Sequence, residues 1–353
     1  MSDQFVNVDD NILPTNSSSP IKPKKSLPLE KVFNIAFFEK DTFENFLNFD
    51  VASGYECADF KGRTLLKPSP KLKDYHKFIN DFIFPYLSVN ETVVFSYRKG
   101  SRTYDAVSRH SESKVFFNTD IQNFFPSITR DFAKLVLLDN LKNIPISDIN
   151  NFIPKILDFV VVDNVLPVGF STSPSFSNAS LYTFDCRMFD YCQEINAVYT
   201  RYSDDIIIST NNDSDLNDIY RIVAHFLSQV NDGKFLLNKR KTKIVRRGNK
   251  IKLLGMVILP SGKISVDIKT KNKIEHLIHF YLTNKESFKN AVLKYDKDGK
   301  IKNLPENEII IKGVGMVSGI LNHINTIDQE YLNKLRRKYG NVVIDMFFHQ
   351  NAS

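Results

Sequence analysis

Cysteine is scarce in this chain. The three present, Cys57, Cys186 and Cys192, form neither a zinc-ligand spacing nor an even set for disulfides. That excludes a zinc ribbon or a disulfide scaffold and suits a reducing compartment. Long apolar runs are also missing. None reaches the roughly 18 residues of a membrane span, so no membrane partner is expected. The first residues lack a basic segment followed by an apolar core, so no secretory signal is read and the expected location is cytoplasmic. Acids are absent from residues 234–252, which hold nine Lys or Arg. With a net charge of +7 over 353 residues, this favours an anionic partner without naming one. There is no internal repeat. The chain is 42% hydrophobic and 25% charged, ordinary for a folded protein with room for two or three subdomains.

Residues 1–27 are polar and read as a flexible tail. Residues 74–86 carry Phe78, Ile79, Phe82 and Ile83 on one helical side. Residues 93–97 read as a strand and residues 98–102 as a basic turn. Residues 115–120 form another strand, ending on an acid, and Pro126-Ser127 turns into a helix. Thr172-Ser173-Pro174 starts a second helix, with hydroxyls at the cap and proline in the first turn. A helical stripe from Ile219 to Val230 stops at Asn231-Asp232-Gly233. Residues 253–259 and 263–266 read as a hairpin around Pro260-Ser261-Gly262. The last hundred residues look helical. Their final helix has Asp328 and Glu330 early, Arg336, Arg337 and Lys338 late, and then Gly340, an order that suits the helix dipole and a glycine stop. His276 and His279 share a helix face but lack a third ligand, so they read as surface or packing residues, as do Cys186 and Cys192.

Tyr202-Ser203-Asp204-Asp205 stands between two β-prone runs, Val198-Tyr199 and Ile206-Ile207-Ile208. It reads as a hairpin turn that exposes two carboxylates, oxygen ligands of the kind hard divalent cations prefer. Taken alone, such a pair is an ordinary solvated turn. Asp120, at the end of its own apolar strand, supplies a partner. Two acidic sites on adjacent strands could hold two metals about 4 Å apart, as in polymerases and nucleases.

Five segments in order resemble the motifs of bacterial reverse transcriptases. They are Asp120-Ile-Gln-Asn-Phe-Phe-Pro-Ser-Ile128; Leu166-Pro-Val-Gly-Phe-Ser-Thr-Ser-Pro174 with Ser177-Asn178; Tyr202-Ser-Asp-Asp205; Leu237-Asn238 with Lys241-Thr242; and Leu253-Leu254-Gly255. The resemblance implies an α+β right-hand polymerase with fingers, a palm with an antiparallel sheet, and a helical thumb. Its expected divisions are a tail at 1–27, an N-terminal region and fingers at 28–114, a palm with further fingers segments at 115–258, and a thumb at 259–353. It implies template-directed DNA synthesis from dNTPs with two Mg2+ ions, Mn2+ being the alternative.

Carried over to this sequence, Asp120 and Asp204 would be the main metal ligands and Asp205 the third acid. The carbonyl of Ile121 would be an extra ligand. Phe125 would sit beneath the sugar, where a ring leaves a ribose 2′-hydroxyl without a hydrogen bond, a cost on the order of 1–3 kcal/mol. Arg98, Lys99 and Arg102 would clamp the triphosphate, with Arg102 preferred. Gly169 would admit a close approach towards the nucleotide, and Asn178 would face it. Lys241 would protonate the departing pyrophosphate, with Lys239 and Lys243 as competitors. Tyr202, Leu254 and Gly255 would contact primer and template. The basic run would meet duplex phosphates.

Retron and antiphage-defence reverse transcriptases are the nearest groups. Retrons typically carry Asn-Ala-x-x-His and, near the thumb, Val-Thr-Gly. This chain has Asp105-Ala106 with His110 one residue late, and Leu253-Leu254-Gly255. By resemblance, the expected partners are a structured non-coding RNA, its DNA product and an accessory defence protein. Two other readings stay open: a template-independent or protein-primed DNA polymerase, for which Tyr339 is one of many candidate hydroxyls, and a scaffold without catalysis. The intact Asp120, Asp204 and Asp205 oppose the scaffold, and Phe125 opposes RNA synthesis.

Overall fold

The computed structural model describes residues 26–349 apart from Lys61 and Lys297. Most of the expected tail therefore lies outside the described residues. Leu27, at its end, forms a parallel bridge with Ile146. An antiparallel hairpin of β1 (Tyr55–Phe60) and β2 (Arg63–Pro68) leads into helix Pro70–Phe82. The helix starts earlier than its apolar stripe because Ser69 Oγ accepts the Leu72 amide at 3.3 Å and Pro70 opens the first turn.

The central sheet is antiparallel throughout. Its middle strand, β3 (Val115–Gln122), pairs on one side with β5 (Asp205–Thr210), which in turn pairs with β4 (Val198–Tyr202). On its other side β3 pairs with β6 (Leu236–Leu237) through Ile121 and Gln122, and with β7 (Lys243–Arg246) through Val115 to Asn118. Both faces of this sheet are covered, which is why its strands are runs of apolar residues rather than an alternation. The side chains still divide with period two. Val115, Phe117, Ile206 and Ile208 enter the main core with helices Tyr182–Glu194 and Ile219–Ser228. Phe116 and Ile207 enter a second core with the C-terminal helices.

Two strand readings need correction. Residues 93–97 are not a strand; only Val94 bridges, in parallel, to Arg201. The chain leaves the extended region at Tyr97 (φ 55°), and the Arg98 guanidinium folds back onto the Glu91 and Val94 carbonyls. The basic residues 98–102 do turn, the Ser101 amide donating to the Arg98 carbonyl at 3.2 Å, and they lead into a short helix, Thr103–Ser108. Residues 253–259 are not continuous either. They are cut by a two-residue turn at Leu254-Gly255 between β8 (Ile251–Leu253) and β9 (Met256–Ile258). β9 then pairs with β10 (Ile264–Val266), as the hairpin pattern predicts.

Among the described residues five helices follow: Ile268–Thr283, Lys285–Tyr295, Glu306–Ile327, Gln329–Tyr339 and Asn341–His349. Asp328 caps the fourth by accepting the Tyr331 amide, and Gly340 (φ 92°) ends it as expected. Mixed helix and antiparallel sheet put the chain in the α+β class.

Candidate active site

The sheet register brings the acids together. Asp120 of β3 lies directly opposite Asp205 of β5. Tyr202 pairs with Asp205 across a two-residue turn, so Asp204 sits at its tip. Ser203 takes the positive φ (59°) that a tight hairpin needs at its first central position. The Ile121 amide donates to the Asp204 carbonyl at 3.0 Å, which ties the turn to β3.

Like charges directly opposite in a sheet repel. Burial, then Asp204 and Asp120, push the Asp205 carboxyl up to about 6. Asp120 is buried, and its Oδ1 has no hydrogen-bond partner. Its Oδ2 accepts the Lys241 ammonium at 2.6 Å. That contact raises the Lys241 pKa and keeps the amine protonated. As they stand, no three His, Cys, Asp or Glu side chains are gathered to ligate an ion among the described residues. An unpartnered buried oxygen, a carboxyl driven towards neutrality and a lysine drawn onto the acids are nevertheless what a cation would relieve. The residues fit a divalent ion.

The acids open onto a cleft of about 380 Å³ lined by Asp120, Asp205, Arg240, Lys241, Lys243, Lys252 and Leu254 among others. Leu254 and Gly255 form the β8–β9 turn with φ of 47° and 84°. Two positive φ values mark a type I′ turn, and a leucine there is strained. Tyr202, half-buried, precedes the turn that carries the acids. Ile121 is buried, so only its backbone is available to a ligand. Phe125 is half-buried on a single helical turn, its ring 5.8 Å from that of Phe124.

Other expected residues lie elsewhere or are engaged. Arg98 is held by Glu91, with Nη2 to Oε2 at 2.6 Å. Arg102 stands at the N-cap of helix Thr103–Ser108, its amide donating to Asp105 Oδ2 at 2.9 Å, and its guanidinium forms an exposed ion pair with the same carboxylate at 2.8 Å. Lys99 between them is exposed. Asn178 does not face the cleft. It is buried, with its amide donating to the Ser96 carbonyl at 2.7 Å, because helix Ser173–Ala179 turns that face inward. Gly169 (φ 115°) does permit a close approach, but the backbone it meets is β2. An added Cβ would lie 2.1 Å from the Leu66 carbonyl oxygen. His276 and His279 are exposed, and His276 Nδ1 lies 3.3 Å from the Tyr295 hydroxyl.

Motif reading marked His110 only as the displaced histidine of the retron pattern and passed over Arg201, and both are buried. His110 bridges β4 and β5, with Nδ1 2.6 Å from Ser209 Oγ and Nε2 2.7 Å from Thr200 Oγ1. Burial pushes its pKa down to about 3, so it is neutral. Arg201 is fully buried against Asp185. An arginine inside an apolar strand was the signal for it.

An antiparallel sheet presenting paired carboxylates beside a basic cleft is the outline of a nucleic-acid polymerase. Residues 60–258 match the family described as reverse transcriptase (RNA-dependent DNA polymerase), more than half of the chain, and the chain belongs to that family. It is accordingly an RNA-directed DNA polymerase of the right-hand fold, and retron enzymes are among its relatives. The chain is 23% identical over 288 residues to the retron Ec83 reverse transcriptase of Escherichia coli, covering 80% of this chain and 84% of that one. It is 25% identical over 297 residues to the retron Ec73 enzyme, also of Escherichia coli, covering 81% and 86%. To the retron Mx162 enzyme of Myxococcus xanthus it is 24% identical over 268 residues, covering 70% and 54%. Among solved structures, telomerase from Candida albicans with a fragment of telomeric RNA aligns at 11% identity and a TM-score of 0.45, over 83% and 60% of the two chains. No described helix is long and apolar enough to cross a membrane.

Proposed function

We propose that this reverse transcriptase copies a structured non-coding RNA into DNA by two-metal chemistry at Asp120, Asp204 and Asp205, within an antiphage system. The observation that carries the reading is the pairing of Asp120 with Asp205 directly across the sheet, with Asp204 on the adjoining turn. Asp120 and Asp204 would hold the ions, Mg2+ by preference, with Asp205 and the Ile121 carbonyl beside them. Bound there, the ions would supply a lowered pKa at the attacking hydroxyl and charge neutralisation on the phosphates.

This chain's own groups do the rest. Lys241 carries a proton at Nζ next to Asp120 and can give it to the departing pyrophosphate once cations relieve that contact. Lys99 is exposed to meet phosphates, and Arg102 could do so by leaving Asp105, an exposed pair worth little. Phe125 would exclude the 2′-hydroxyl. Leu254 and Gly255 would bear on the primer, and Arg240, Lys243 and Lys252 on phosphates. The template RNA and the defence role are carried over from the retron resemblance.

Sequencing the RNA and DNA that co-purify with the protein tests the reading. One structured RNA, with DNA complementary to part of it, is the expected result. DNA with no complement in the bound RNA would favour untemplated or protein-primed synthesis.

A further inference from the structure

We infer that Arg201, Asn178, Ser96 and Tyr97 form one polar chain that sets the position of the Ser203-Asp204 turn for catalysis. The inference rests on the proposed role of Asp204 and Asp205.

Ser203 is held at three of its atoms. Its amide donates to Ser96 Oγ at 2.8 Å. Its carbonyl accepts from Arg201 Nη1 at 2.9 Å. Its hydroxyl accepts from the Tyr97 hydroxyl at 3.0 Å. A non-glycine residue at φ 59° stays there only when its surroundings over-determine it, and these three contacts do so.

The partners are themselves joined. Arg201 Nε and Nη2 grip both oxygens of Asp185, at 2.7 and 2.6 Å. Asp185 also accepts the Tyr199 hydroxyl at 2.7 Å. The remaining Arg201 donors reach Asn178, with Nη1 to Oδ1 at 3.3 Å and Nη2 to the carbonyl at 3.2 Å. Asn178 closes the loop on Ser96, accepting from Oγ at 3.0 Å and donating to the carbonyl at 2.7 Å. Arg201 and Asp185 are both 0% exposed.

A fully buried ion pair is weak evidence for stability, since well-packed apolar residues often replace one without loss. What this pair provides is geometry. A planar fork already fixed by a carboxylate aims its last N–H groups in set directions, which a lysine cannot copy. It aims one at the carbonyl that joins Ser203 to Asp204. Four separate segments meet in this network: the loop before helix Thr103–Ser108, helix Ser173–Ala179, helix Tyr182–Glu194 with Asp185, and strand β4. A shift of the loop carrying Ser96 and Tyr97 would therefore reach the turn that holds the acids. Asn178 acts in this scheme as a positioning residue and not as a nucleotide contact.

The test measures single-nucleotide addition of dTTP on poly(rA)–oligo(dT), with kcat and KM separated and the thermal midpoint recorded. The variants are Ser96→Ala, Tyr97→Phe, Ser203→Ala and Arg201→Lys, with Asp204→Asn as control. Misplacing a reacting group by about 1 Å costs up to about 100-fold. We expect kcat to fall about tenfold or more in Ser96→Ala and Arg201→Lys, with KM for dTTP little changed. Tyr97→Phe and Ser203→Ala remove the same hydrogen bond. Each should lower kcat, and the double variant should be no worse than either. Ser96→Ala and Tyr97→Phe are small enough to keep the fold, so the test survives if Arg201→Lys does not fold. Unchanged kcat in both of these, whether or not the midpoint drops, would overturn the inference. So would a rise in KM at constant kcat, which would return these residues to nucleotide binding. An inert Asp204→Asn beside fully active Ser96→Ala and Tyr97→Phe would remove the inference alone. A fully active Asp204→Asn would remove the catalytic reading beneath it.

Discussion

At the scale of single residues, the site is a problem of crowded negative charge. Asp120 faces Asp205 across one ladder rung, and Lys241 sits against Asp120 to offset them. The proposed gate at Phe125 would work by a different logic, because a ring gives a sugar hydroxyl no partner. Phe125→Ala should reduce discrimination against ribonucleotides about tenfold, measured as the ratio of kcat/KM for dTTP and UTP. Unchanged discrimination would remove it as a gate. Leu254 carries strain that a side chain bonding to its own backbone would lower. Leu254→Asn, giving the Asn-Gly pair that type I′ turns favour, should stabilise the fold by about 1 kcal/mol in urea unfolding and weaken primer binding. A stability loss would show that the leucine's packing outweighs its backbone cost.

At the scale of elements, the hairpin of β4 and β5 was legible because β-prone runs flank a polar tetrad, and both pairing and turn follow from that pattern. Asp120 was legible as an acid on an apolar strand. The strand expected at 93–97 was not there, since composition cannot show that Tyr97 adopts a positive φ or that Arg98 folds back onto its own loop. Nor does spacing say which way a short helix turns its polar face, and so Asn178 was expected in the cleft and lies in the interior. Gly169 was marked as a point of close approach, but the partner, Leu66 on β2, is distant in sequence. His110 gives this hairpin a pH dependence. Its folded pKa is pushed down to about 3 by burial between the uncharged Thr200 and Ser209. The unfolded chain binds a proton near pH 6.5. The stability His110 contributes is therefore full above that value and is lost as pH falls from about 6.5 towards 3. Urea midpoints over this range should fall less steeply in His110→Gln than in the native chain. Parallel slopes would contradict the assignment.

At the scale of the whole molecule, the two cores meet at one sheet. Phe116 and Ile207 face the C-terminal helices, while Phe117, Ile206 and Ile208 face the other core. The acids lie at the end of the two strands that join them. The cleft beside them takes four of its lining residues, Arg240, Lys241, Lys243 and Lys252, from the basic run. On the proposed function, binding of RNA would draw on phosphate contacts and chemistry on nucleotides on carboxylates, which are separable groups. The most direct measurement compares DNA synthesis by the native protein and Asp204→Asn, each purified with its RNA and supplied with Mg2+ and dNTPs. Both should retain the RNA, the native protein should incorporate dNTPs, and Asp204→Asn should lose at least about 100-fold in rate. Equal incorporation by the two proteins would contradict it.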